Sequence, residues 1–127
     1  KGEITWKQNV ILPVKPDLQS DALRISQLHG FDVADVNGDG VLDILTGKRF
    51  WAHGPTGDAE PDAPAVVYWF IVKRNPDKSV EFTPLKVDDN SGVGTQVAAA
   101  DLNGDKVPDV IVGNKKGTFI FLSEPAK

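Results

Sequence analysis

An all-β fold built from a repeated four-stranded antiparallel unit is what this 127-residue sequence predicts, and three observations predict it. Val and Ile dominate the 40% of residues that are apolar and Met is absent, which favours strands over helices. The apolar residues fall in short runs bounded by Gly, Pro, Asn and Asp, as strands separated by turns do. A twenty-residue segment, 31–50 (FDVADVNGDGVLDILTGKRF), recurs without gaps at 97–116 (VAAADLNGDKVPDVIVGNKK), an offset of 66 residues with eight identical positions.

The elements follow in chain order. Ile4 to Leu12 is β-like, with Ile4 and Trp6 alternating and Val10 to Leu12 continuing apolar. Residues 13–30 read as a connection opened by Pro13 and Pro16, in which Ser20 or Asp21 caps a single helical turn through Leu28. Phe31 to Ala34 and Val41 to Leu45 flank one Asp-rich loop as two strands. Val66 to Val72 is a continuous apolar run suited to a buried strand, and Val80 to Leu85 alternates. The second copy opens with Val97 to Ala100 and Val107 to Val112 around its own loop, and Thr118 to Leu122 closes the series.

The second unit therefore has three strands, and the 4–12 segment is expected to supply the fourth. This gives an N-terminal strand and connection over 1–30, a first unit over 31–92 and the first three strands of a second over 93–127. Two four-stranded units offset by one strand are the blades of a β-propeller, and two blades cannot close a ring.

The loops carry the chemistry. Asp35, Asn37, Asp39 and Asp43 place side-chain oxygens at positions 1, 3, 5 and 9, and Asp101, Asn103, Asp105 and Asp109 repeat them. Calcium takes six to eight hard oxygens, and such a loop with a position-7 carbonyl, Val41 or Val107, supplies five. An Asn-Gly hairpin turn explains Asn37 and Gly38 but not three like charges brought close together, twice over. A helix-loop-helix site is excluded, since position 12 is Thr46 or Val112 rather than a bidentate acid, and the flanks are strands.

DVNGDGVLD and DLNGDKVPD, each after an apolar strand and before one ending in Gly, resemble the FG-GAP/VCBS repeats of integrin-like propellers, over roughly residues 31–122. The resemblance implies Ca²⁺ in the loop joining the two inner strands of each blade. Its ligands would be Asp35, Asn37, Asp39, the Val41 carbonyl and Asp43, then Asp101, Asn103, Asp105, the Val107 carbonyl and Asp109. Lys106 stands where the first loop has Gly40, adding a positive charge, so the second site is expected to be the weaker.

Six of the 18 acidic residues lie in these two loops, so the formal charge of −4 is local, and no basic stripe suggests a nucleic-acid partner. No apolar run is long enough for a membrane span, and Cys is absent, leaving neither disulfides nor thiolate sites. A start at Lys1 rather than Met matches an excised piece of a precursor. Loops of this type suit calcium-rich surroundings, so an extracytoplasmic setting is expected.

The connection from Lys48 to Pro64 is long, and Lys48, Arg49, Trp51 and His53 near its start offer two cations, an aromatic face and a titratable ring to an acidic or sugar-like ligand. The plainer reading packs Phe50 and Trp51 on the neighbouring blade and leaves the charges solvated. No nucleophile, zinc-protease or phosphate-loop motif is present, so no catalytic set is expected. The leading expectation is a calcium-stabilised binding module that completes its ring with copies of itself or with other blades. A carbohydrate-active enzyme fragment using the 48–64 loop, or an adhesion module with a glycan or protein ligand, are the alternatives.

Overall fold

The computed structural model describes residues 2–12, 23 and 25–124. Among them there is no helix. Seven strands, β1 (Leu28–Ala34), β2 (Asp43–Lys48), β3 (Val67–Arg74), β4 (Val80–Asp88), β5 (Val97–Ala100), β6 (Asp109–Asn114) and β7 (Gly117–Phe121), form two antiparallel sheets. The first sheet has the order β1-β2-β3-β4 and the second β5-β6-β7. The starts of β2 and β6 fall two residues later than expected, because each loop extends to the buried acid at its ninth position.

The strand expected over 4–12 is not formed. Residues 2–10 are irregular, expose Ile4, Trp6 (92%) and Val10, and pair with no described strand; Leu12 at their end packs on Ile25, Val66, Tyr68 and Phe70 instead. The helical turn expected from Ser20 or Asp21 falls largely outside the described residues, and its last position, Leu28, already belongs to β1.

The continuous apolar run of β3 is explained by burial on both faces. Val67 and Trp69 join Leu45, Val93, Val97, Val110 and Val112 in a core between the two sheets. On the other face Val66, Tyr68 and Phe70 pack with Ile25, and Leu12, Leu23 and Ile44 close over them. The repeat explains the directions. Ile44 faces the layer before its sheet, and its counterpart 66 residues on, Val110, faces the first sheet. Leu45 faces the second sheet, and its counterpart, Ile111, lies outside both core clusters and is only half-buried.

Edge strands fit the same logic. β4 carries Glu81, Pro84, Lys86 and Asp88, and proline and charge are what an exposed edge tolerates. Between the sheets, Asp32 Oδ2 in β1 accepts a hydrogen bond from Ala99 N in β5 at 2.9 Å, and Val93 N donates to Lys48 O at 3.0 Å.

Backbone approach is close where Gly94 meets β6: a Cβ on Gly94 would lie 2.0 Å from the Gly113 carbonyl oxygen. A Cβ on Gly113 would meet nothing closer than Thr118 Oγ1 at 3.7 Å. Gly94→Ala is therefore expected to lower unfolding free energy by about 1–3 kcal/mol, while Gly113→Ala stays near neutral. Equal urea midpoints for the two variants would contradict this packing.

Candidate metal loops and the long rim loop

The β1–β2 loop is shaped by its own side chains. Asp35 Oδ1 and Asn37 Oδ1 both accept from Asp39 N, at 3.0 and 3.1 Å, and Asp35 Oδ2 accepts from Gly40 N at 2.7 Å. Asn37 Nδ2 donates to Asp39 Oδ2 at 3.0 Å, and Asp39 Oδ1 accepts from Val41 N at 2.8 Å. Short polar side chains thus bend the chain by capping its amides, with Gly38 and Gly40 at positive φ to permit the turn.

The β5–β6 loop repeats the pattern. Asp101 accepts from Gly104 N and Lys106 N at 2.7 and 3.0 Å, Asn103 Oδ1 from Asp105 N at 2.9 Å, and Asp105 Oδ1 from Val107 N at 2.8 Å. Asn103 Nδ2 donates to Asp105 Oδ2 at 3.0 Å. Lys106 has φ 72° where Gly40 has 81°, so a side-chain-bearing residue holds a left-handed conformation that glycine adopts without strain.

Position 9 does different work. Asp43 is fully buried; its Oδ2 accepts from Val36 N at 3.1 Å and its Oδ1 from Val72 N at 2.7 Å. Asp109 is equally buried and accepts from Leu102 N and Ser123 N, both at 2.8 Å. Asp43 ties the start of its loop to β3, and Asp109 ties the start of its own to Ser123, just past the end of β7. The sequence pattern marked both as oxygen donors; that they brace three segments depends on long-range amides that spacing does not reveal.

The donor set is chemically suited to a hard cation: carboxylate, amide and carbonyl oxygens only, with no ion pair to any of the six acids among the described residues. In the conformation described, the carboxylates turn onto the loop's own amides, and no three His, Cys, Asp or Glu side chains are gathered as a cage among those residues.

The four residues picked out on the long loop do not form a common site. Lys48 is buried, its Nζ donating to Ser26 Oγ at 3.0 Å and Ala59 O at 3.3 Å. Burial pushes its pKa down, opposed by the charges of Asp58 and Glu60. Arg49 Nη1 lies 2.8 Å from His29 Nε2. Trp51 stacks on Phe50 at 5.0 Å between ring centroids and donates to Pro61 O at 3.1 Å. His53 is exposed, with Nδ1 3.1 Å from Asp58 Oδ1. Phe50 meets the second sheet instead, with Lys116 Nζ 4.9 Å from its ring centroid. The loop is thereby anchored at its start, through Lys48 to Ser26 and through Phe50 to the β6–β7 turn.

Residues 93–119 match the FG-GAP repeat family. The match runs from Val93 through β5, the second Asp-rich loop and β6 into β7. No curated protein and no solved structure matches the chain. Among the described residues no helix is long and apolar enough to cross a membrane.

Asp43→Asn and Asp109→Asn each place an amide donor against a backbone donor in a buried site, and each is expected to cost about 1–3 kcal/mol. Lys106→Gly should raise stability by up to about 1 kcal/mol by removing the strained side chain. Denaturant unfolding checks all three; a neutral Asp43→Asn would mean that the brace contributes little.

Proposed function

Given that residues 93–119 are an FG-GAP repeat and that both sheets are blades of a β-propeller, we propose that the chain is a calcium-stabilised binding module, a two-blade segment that works within a larger ring. The observation that carries the reading is the duplicated loop geometry. Two copies gather oxygen donors around one tight turn, and none of the six carboxylates forms an ion pair among the described residues.

Calcium bound there would supply the missing positive charge. Asp35, Asn37, Asp39, Val41 and Asp43 would hold the first ion, and Asp101, Asn103, Asp105, Val107 and Asp109 the second. The loop residues already bend the chain through their amide caps, so little reorganisation of the backbone is required. The position-9 acids, with both oxygens on amides, would keep the loop in register with the sheet. The charge and strain at Lys106 favour a weaker second site.

The open face of the second blade supports incorporation into a larger assembly. Ala98, Ile111 and Ile120 lie side by side across β5, β6 and β7, with Ile120 58% exposed. By the repeat, this face corresponds to the one bearing Leu45 on the first blade, which is covered by a sheet. Another blade is the matching occupant. Calcium affinities of roughly 0.1–1 mM, as in extracellular modules, favour an extracytoplasmic location. A glycan or protein ligand at the 48–64 rim has less support, because Lys48 is directed inward.

Calorimetric titration should detect two calcium sites of unequal affinity. Unfolding free energy should rise by about 2.7 kcal/mol per site once free calcium is about a hundred times Kd. Asp35→Ala should remove the tighter event and Asp101→Ala the weaker. Unchanged unfolding in millimolar calcium would defeat the proposal.

A further inference from the structure

We infer that the free edge of β7 is completed by residues 4–11 of a second copy of this chain, so that two copies exchange their N-terminal segments. This rests on reading the sheets as blades and adds the identity of the missing strand.

Four observations converge on it. The second blade has three strands where the first has four, and no described segment pairs with the outer edge of β7. That edge is also unguarded. The run GTFIF of β7 and the following Leu122 and Ser123 contain neither charge nor proline, whereas the outer edge strand of the first blade, β4, has both. An uncovered apolar edge is a template for another strand, and a protein that manages one edge and not the other implies a cover for the second.

Beside the unguarded edge lies a cleft of about 760 Å³. Ile71, Leu85 and Val87 of the first blade line one wall, and Val110, Phe121 and Leu122 of the second line the other, with Glu124 among the polar lining residues. A fourth strand on β7 would turn one row of side chains into this space and cover Leu85, which is 52% exposed. The ligand that fits is therefore an extended segment with apolar residues at alternate positions. Residues 4–11 (ITWKQNVI) are such a segment: Ile4, Trp6 and Val10 share one face of a strand, all are exposed, and none is engaged in a sheet.

The exchange has to occur between chains. Leu12 packs against the cluster of Ile25, Val66, Tyr68 and Phe70, on the face of the first blade turned away from the second. Pairing along β7 uses about five of the eight residues, and the remaining three span about 10 Å. Passing round the first blade to reach the next sheet requires more than that, since stacked sheets alone lie about 10 Å apart. A neighbouring copy has no such obstacle.

The chain has no cysteine, so single cysteines can be introduced without interference. Lys7→Cys and Thr118→Cys chains, mixed and treated with a short bis-maleimide, should give a hetero-cross-linked dimer. Light scattering coupled to size exclusion should find a dimer for the full chain and a monomer for a chain lacking residues 1–11, which retains Leu12, Leu23 and Ile25. Trp6→Ala should weaken dimerisation by about tenfold or more. Hydrogen exchange should show β7 amides protected in the dimer and fast in the truncated chain. A monomeric full chain, with β5 and β6 protected and β7 exchanging as in the truncated form, would overturn the exchange and leave the blade reading intact. Loss of protection throughout β5, β6 and β7 in the full chain would instead overturn the blade reading, and the inference with it.

Discussion

The fold hangs on one buried carboxylate per repeat. Asp43 and Asp109 are wholly removed from water, and each keeps both oxygens satisfied by main-chain amides drawn from two other segments. A buried carboxylate is tolerated only with such partners, so the loop cannot drift from the sheet without leaving a charge unpaired in the interior. The Asp-rich turn is therefore held to the strands as part of the core. Whatever binds the turn acts on a loop whose position is already set.

Around that brace the two sheets are built from unlike faces. Alternate residues of β2 and β3 look back toward the preceding layer and forward toward the second sheet, and β6 repeats the alternation, which is why Ile44 and Val110 have corresponding roles one layer apart. β3 lies at the centre of this arrangement, with Trp69 on one side and Phe70 on the other, both almost fully buried. The first blade is consequently the better supported of the two, and the second depends on it for the one face it has covered.

Much of this was legible in the sequence. The continuous run at β3 announced burial on both faces, and the 66-residue recurrence located both loops and the four strands that flank them. What was not legible depends on distant partners. Lys48 reads as a surface cation at a strand end, yet Ser26 and the Ala59 carbonyl, 22 and 11 residues away, receive its ammonium group in the interior. The alternation at Ile4 and Trp6 gives the capacity to pair but not the location of an edge to pair with. Asp43 and Asp109 were legible as oxygen donors because spacing shows residue types; their amide partners in Val72 and Ser123 lie outside any local pattern.

The cover formed by Leu12, Leu23 and Ile25 over Val66, Tyr68 and Phe70 has one last effect. Units that join by a front face to a back face, rather than by like faces, add in a single direction, and unless the rotation closes them they grow into fibres. Here the back face of the first blade is already shielded by the chain's own side chains. A second copy stacking front to back would therefore meet these side chains before the strands, and they would have to shift before a ring or a fibre could continue.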